Sequence, residues 1–350
     1  MRGIVFPGDG VVEIMEFPDP TPGDDEVVLE VKASGMCGSD LHHLRRKKGG
    51  VSLTGALTNA VPVIEGHEPC GVVVAAGRSV PKIGPATVGT RVMVHHYFGC
   101  TTCNHCRSGW TQLCQEVPLK IYGNNAHGAH ARYMKVPAST LVPLPDELSF
   151  EAGAAISCGT GTAYGALRRL AVSGRDTVAI FGQGPVGLSA TLLAKAMGAT
   201  VITLDVNEER LERAKLFGAD HLIDPTQVDA VAAIRDLTRG QLSDKTLDAS
   251  GSASGRISAI RSTKIWGAMC FVGEGGDVTI NVSADIMRKQ LTLLSSWTFS
   301  TVVQAECAKF VAKRALDIDG LFTDRWRIED GVQAYAEFQK QAGGKGVFLP

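Results

Sequence analysis

The stretch that most constrains this chain is V-A-I-F-G-Q-G-P-V-G, running from Val178 to Gly187. An apolar, strand-like run leads into G-x-G-x-x-G at Gly182, Gly184 and Gly187. A helix-like run follows, and Asp205 closes the next strand 23 residues after Gly182. Glycines alone would say little in a chain with 40 of them. The order strand, glycine turn, helix, strand, acid is the arrangement that binds a dinucleotide, and it commits this half of the chain to a parallel βαβ sheet. Gly182 permits the tight turn, Gly184 lets the backbone approach a pyrophosphate, and Gly187 lets helix and strand pack closely. The helix N-terminus, which opens at Pro185, then presents its free N–H groups to the phosphates. A carboxylate at Asp205 accepts hydrogen bonds from the adenosine ribose hydroxyls and repels a 2′-phosphate, which favours NAD over NADP. The bland alternative is an ordinary α/β turn with coincidental glycines.

Around this motif the chain has two textures. The first 150 residues carry short β-branched runs, Val27–Val31, Val63–Glu65, Val72–Ala76 and Arg91–Val94, set between Gly, Pro and Asp clusters. From about Ser149, strands alternate with helices. Candidate strands are Val178–Phe181, Val201–Leu204, His221–Ile223, Thr246–Ala249, Met269–Val272 and Leu291–Ser295, and helix-like runs include Val186–Met197 and Glu208–Phe217. That alternation predicts a doubly wound sheet. Two further helical segments, Gln304–Leu316 and Glu329–Lys340, precede a short strand near Gly346–Leu349. The expected fold class is therefore α/β, with a β-rich domain over 1–150 and 298–350 and a nucleotide-binding domain over 151–297. At 350 residues the chain is long enough for two such cores.

A formal net charge of −1 supplies no bulk attraction to nucleic acid or membrane. The most apolar stretch, Val178 to Met197, is interrupted by glycines, a proline and a lysine, and the N-terminus lacks a signal-peptide core. A cytoplasmic location is expected, where the nine cysteines stay reduced and read as metal ligands or small buried residues.

Cys100, Cys103, Cys106 and Cys114 form C-x2-C-x2-C-x7-C in a loop. Four thiolates at that spacing suit a closed tetrahedral zinc site of structural type. An iron–sulfur reading is weaker, because ferredoxin runs space the last cysteine differently and follow it with proline. Three scattered pieces form a second constellation: C-G-S-D-L-H from Cys37 to His42, G-H-E from Gly66 to Glu68, and S-C-G-T-G-T-A-Y from Ser157 to Tyr164. Each is ambiguous alone. Together they offer one histidine and two thiolates, with a fourth position open, as a catalytic zinc requires.

These motifs, in this order along nearly the whole chain, resemble the zinc-containing medium-chain alcohol and polyol dehydrogenases. The resemblance implies a GroES-like first domain and a Rossmann second domain. It implies Cys37, His67 and Cys158 as catalytic zinc ligands, with Glu68 coordinating transiently or sitting just behind the metal. Asp40 matches the carboxylate that orients the ligand imidazole, Ser39 the hydroxyl on the bound alcohol, and His42 the end of a proton relay. Thr162 and Val186 match residues behind the nicotinamide, Arg210 a basic residue near the adenosine ribose, and Lys345 one near the pyrophosphate. His96 and Phe299 match substrate-pocket positions. Core packing is the expected role for Trp297, and Cys70, Cys270 and Cys307 read as buried small residues. His43, His127 and His130 receive no task. Cys158 follows the alcohol dehydrogenase pattern rather than that of sorbitol dehydrogenase-like members, which complete the site with a glutamate elsewhere.

The implied cofactors are two zinc ions per chain and NAD, and the implied assembly is a homodimer or homotetramer. The implied chemistry is hydride transfer from a secondary alcohol or polyol to NAD, with Ser39 and His42 carrying the proton away. The basic stretch from Leu44 to Gly50 is ordinarily a solvated loop; a sharper alternative has Arg45, Arg46, Lys47 or Lys48 attracting an anionic substrate such as a sugar acid. Two rival readings stand beside this one. An NADPH-dependent quinone or enoyl reductase would not need Cys37, His67 and Cys158 together. A non-catalytic NAD-binding protein with a structural zinc would not need Ser39 and His42.

Overall fold

Thr177–Phe181 is buried along almost its whole length, as a strand covered on both faces must be. It occupies the middle of a six-stranded, all-parallel sheet. Its neighbours on one side are Thr200–Leu204 and then His221–Ile223; on the other lie Ser243–Asp248, Thr263–Phe271 and Thr292–Ser295. Strand order therefore reverses between Thr177–Phe181 and Ser243–Asp248, and the crevice outside their carboxyl ends is where such sheets bind ligands. The helix Pro185–Ala196 starts with proline in its first turn and stops at Gly198, whose φ of +94° only glycine adopts freely. Glu208–Leu216 is capped by Asn207, whose side-chain oxygen accepts the Arg210 N–H at 3.1 Å.

The computed structural model describes residues 1–48, 61–341 and 343–350. It divides into two compact units. One comprises Met1–Cys158, Ser300–Gln341 and Lys345–Pro350, and the other is built on Gly159–Phe299. The helix Phe150–Ile156, which the expected boundary after residue 150 would split, packs on the strands Glu26–Gly35 and Glu68–Ala76 and lies in the first unit.

The first unit is organised around Glu26–Gly35. This strand pairs antiparallel with Glu68–Ala76, with Tyr133–Pro137 and, at its end, with Lys345–Phe348. Val27, Leu29, Val31, Val73, Val92, Val94, Met134 and Val136 fill the core beneath it. The register sets Gly35 opposite Glu68, so the chain leaves one strand just before Cys37 at the level where it enters the next just after His67. The predicted strand Val63–Glu65 is instead a single bridge, Ile64 to Val5. Its backbone is occupied by Gly128 and His130, whose N–H groups bond Ile64 and Glu65. An N-terminal hairpin, Arg2–Gly8 with Val11–Glu16, was not anticipated although Asp9-Gly10 marks its turn. Among the described residues no helix is long and apolar enough to cross a membrane.

Candidate active site and metal centres

The segment C-G-S-D-L-H-H turns from strand into the short helix Gly38–Leu44, with Cys37 at its start. Asp40 closes that turn: its Oδ2 accepts the Cys37 N–H at 2.9 Å. Its Oδ1 lies 3.0 Å from His67 Nδ1, which leaves Nε2 to face the thiols. His67 follows Gly66, whose φ is +92° and whose absent side chain would strike the His130 ring at 2.4 Å. Only glycine satisfies both demands. Cys158 arrives from the end of Phe150–Ile156, where the Ser157 hydroxyl donates to the Pro69 carbonyl at 2.9 Å.

One ligand atom from each of Cys37, His67, Glu68 and Cys158 falls within 4.8 Å of the others. The Cys37 and Cys158 sulfurs are 3.9 Å apart. That is far beyond a disulfide, and it matches the separation of about 3.8 Å for two thiolates on one tetrahedral zinc with bonds of ~2.3 Å. The site therefore fits zinc. A hydrogen bond from the Cys158 thiol holds Cys37 well below the ordinary thiol range, and Cys158 is correspondingly raised. Ser39 Oγ reaches Cys37 Sγ and His67 Nε2, each at 3.2 Å.

Glu68 is fully buried, and burial, partly offset by Lys345, raises its carboxyl to about 8. A side chain at Gly35 would fall 2.0 Å from its Oε2, so that glycine provides the carboxylate's space. Lys345, expected near a pyrophosphate, is paired here with Glu68. It is only 2 % exposed, and its ammonium lies 2.5 Å from Glu68 Oε2 and donates to the Met36 carbonyl at 2.9 Å.

The fourth cluster member is thus balanced by a buried cation that the sequence did not single out for that role. His96 is buried, with its ring centroid 5.1 Å from that of His67, and burial keeps it neutral. His42 is exposed. Its neighbour His43, given no task, turns inward instead: its side chain is 11 % exposed and Nδ1 lies 3.4 Å from Glu65 Oε2. Helical spacing was the available signal, because His43 sits four residues after Ser39 on the same face. Arg46 is half-buried and donates to Asn124 Oδ1 at 3.2 Å, Arg45, Lys47 and Lys48 are exposed, and Gly49 and Gly50 lie outside the described residues.

Cys100, Cys103, Cys106 and Cys114 converge in the same unit. The Cys100 and Cys106 sulfurs are 3.9 Å apart, again the spacing of thiolates on one zinc. Backbone N–H groups point at the sulfurs: Cys103 N to Cys100 Sγ at 3.3 Å, Cys106 N to Cys103 Sγ at 3.5 Å, and Cys100 N to Cys114 Sγ at 3.4 Å. Hydrogen bonds led by the Thr102 hydroxyl lower the Cys100 thiol to about 6. Such an array stabilises negative sulfur and fits a closed structural metal site. Cys70, Cys270 and Cys307 are buried small residues, as expected.

In the second unit, Gly182 adopts φ +89° against the Ser250 backbone, and a side chain at Gly187 would fall 1.8 Å from the Gly182 carbonyl oxygen. Gly184 differs: a side chain there would meet nothing within 4 Å, which leaves its backbone open to a ligand. Asp205 Oδ2 accepts the Gln183 N–H at 2.6 Å and Oδ1 that of Asn207 at 2.9 Å, so the acid braces the glycine turn while keeping further lone pairs. Arg210 Nη1 lies 3.9 Å from it. Val186 is half-buried in the first turn of Pro185–Ala196, and Thr162 is half-buried on the helix Gly159–Arg169. Phe299 is fully buried and belongs with this unit rather than with the β-rich one. Trp297 does not pack in the core; it is 43 % exposed.

Comparison with known proteins accords with both halves. Residues 23–146 match the alcohol dehydrogenase GroES-like domain and residues 185–315 the zinc-binding dehydrogenase domain, and the chain belongs to the zinc-binding medium-chain alcohol dehydrogenase family. Within it, the chain is 38 % identical to the zinc-type alcohol dehydrogenase-like protein YphC of Escherichia coli, over 99 % of this chain and 98 % of that one. It is 31 % identical to a sorbitol dehydrogenase of Bacillus subtilis, over 97 % and 95 % of the two chains. The crystallised alcohol dehydrogenase TADH of Thermus sp. ATN1 superposes with a TM-score of 0.89 at 28 % identity, covering 100 % of this chain and 99 % of the other.

Proposed function

We propose that this protein oxidises a secondary alcohol or polyol to the corresponding carbonyl compound with NAD, using Cys37, His67 and Cys158 as the ligands of a catalytic zinc and the four-cysteine loop for a second, structural one. The observation that carries the reading is the convergence of two sulfurs and one imidazole nitrogen at metal-ligand spacing, with the Ser39 hydroxyl 3.2 Å from two of them. Zinc bound there would lower the pKa of an alcohol, as it lowers that of water to ~7, and NAD would supply the hydride acceptor.

The chain's own groups divide the remaining work. Asp40 fixes the His67 imidazole with its proton on Nδ1. Ser39 is placed to take a proton from a hydroxyl resting against the ligand atoms, and His42, three residues further on the same helix and exposed, offers a way to solvent. Burial of His96 as the neutral form gives the site wall a hydrogen-bonding group without a charge, which suits a neutral polyol. Gly182, Gly184 and Gly187 with Pro185 seat the pyrophosphate. Asp205 and Arg210 flank the adenosine ribose, and Thr162 and Val186 back the nicotinamide. Assembly as a homodimer or homotetramer accompanies this reading.

The test is zinc content by mass spectrometry together with NADH formation across neutral polyols, simple secondary alcohols and sugar acids. Two zinc ions per chain and turnover of neutral polyols or secondary alcohols are expected. Turnover confined to sugar acids would instead give Arg45 to Lys48 a part in substrate binding. A single zinc per chain would overturn the catalytic assignment.

A further inference from the structure

Behind His67 runs a buried polar chain that no motif announces. Ser34 Oγ lies 2.8 Å from His130 Nδ1, His130 Nε2 lies 2.7 Å from the Tyr335 hydroxyl, and that hydroxyl donates to Asp40 Oδ2 at 3.0 Å. Asp40 Oδ1 then meets His67 Nδ1. Ser34, His130, Tyr335 and Asp40 are all 0 % exposed. Their surroundings are apolar: Tyr335 clusters with Ile4, Phe6, Met36, Leu41 and Phe348.

The donor sense of the chain is forced. A carboxylate only accepts, so Tyr335 donates to Asp40. The tyrosine oxygen must then accept from His130 Nε2–H, which leaves His130 Nδ1 to accept from Ser34. Every link points toward Asp40. Phenylalanine at 130 and 335 would fill nearly the same volume without burying polar groups. Packing therefore does not explain the imidazole and the phenol. The His130 ring also rests on Gly66, the residue before His67, where a side chain would touch its Nδ1 at 2.4 Å.

We propose that Tyr335 and His130 are positioning residues of the catalytic metal centre, holding Asp40 so that His67 presents Nε2 to the zinc. The proposal rests on the reading of Cys37, His67 and Cys158 as zinc ligands. Neither residue touches the metal; both act through Asp40.

The test compares wild type with Tyr335→Phe and with the double variant His130→Phe/Tyr335→Phe. The readout is competition of the zinc-loaded proteins with a chromogenic chelator, with the four-cysteine site in the same molecules as internal reference. Outer ligands' partners typically alter metal affinity ~10–100-fold. Because the Cys37 N–H still holds Asp40, about tenfold weaker retention of the catalytic zinc is expected in both variants, with the four-cysteine zinc unchanged. The double variant should recover only part of the melting temperature that Tyr335→Phe loses by stranding the His130 N–H, because it leaves the buried Ser34 hydroxyl without its acceptor. Wild-type retention of the catalytic zinc in both variants, or recovery of affinity in the double variant, overturns the proposal. If wild type itself binds one zinc per chain, the ligand assignment has failed and the proposal falls with it. If wild type binds two and the variants match it, only the positioning role is refuted.

Discussion

Gly184 and Gly187 belong to one turn, yet alanine at each should fail in opposite ways. At Gly187 the new Cβ would lie 1.8 Å from the Gly182 carbonyl oxygen and 2.8 Å from its carbon, both backbone atoms. The turn must open by more than about 1 Å to restore ordinary contact. Overpacking of this kind costs ~1–3 kcal/mol, and a rigid backbone neighbour puts it near the upper end. Alanine's helix preference returns about 1 kcal/mol, so the net loss is roughly 2 kcal/mol, or about 4–8 °C in melting temperature. At Gly184 the backbone sits at φ −67° and ψ −175°, an extended conformation open to any residue, and the Cβ meets nothing within 4 Å. Gly184→Ala should melt at or slightly above the wild-type temperature, by up to ~1 kcal/mol of stabilisation. Its methyl nevertheless occupies the approach a pyrophosphate needs, and NADH should bind at least about tenfold more weakly, a loss of ~1.4 kcal/mol. Melting of both apo variants and fluorescence titration with NADH decide the matter. Wild-type NADH affinity in Gly184→Ala would show that the open face of this turn is not where the dinucleotide lies, and an unshifted melt for Gly187→Ala would refute the packing argument.

Three further outcomes follow from the same geometry. Asp205→Asn keeps an oxygen for one of its two backbone donors but removes the charge, and the NAD-over-NADP ratio in kcat/KM should fall by about tenfold; an unchanged ratio would place selectivity elsewhere. Cys106→Ser should leave one zinc per chain by mass spectrometry and make the loop around residues 100–114 sensitive to proteases; retention of two zincs would remove that cysteine from the ligand set. Burial lowers His95 and His130 to about 4, while histidines of the unfolded chain titrate near ~6.5. The unfolded state therefore binds more protons between those values. These two histidines should lower stability as pH drops from about 6.5 toward 4, by up to ~2.7 kcal/mol per unit for the pair, a fall that the raised carboxyls of Glu65 and Glu68 oppose in part, and urea unfolding that shows stability rising across this window would contradict it.

Sequence by itself settled what is decided within a short span. The glycine turn needs a strand, three glycines and an acid in about 30 residues, and the backbone requires glycine at Gly182, for its φ of +89°, and at Gly187, for its close approach to the Gly182 carbonyl. The four-cysteine loop closes over 14 residues, so the convergence of its four thiols could be read from spacing alone. Strand and helix identities in the parallel sheet were legible because fully buried strands and capped helices write their pattern into adjacent residues.

What only tertiary structure decided involves partners far apart in the chain. Tyr335 meets Asp40 across 295 positions, and Lys345 reaches the Met36 carbonyl across 309. Nothing local marks a tyrosine on a C-terminal helix as the partner of Asp40, or a lysine in G-K-G as the counter-charge of Glu68. Val63–Glu65 shows the converse: its β-branched composition is strand-like, but Gly128 and His130 occupy its backbone from a distant loop. His43 turns inward and Trp297 outward for the same reason. Periodicity fixes which residues share a face, whereas the packing of whole elements fixes what that face meets.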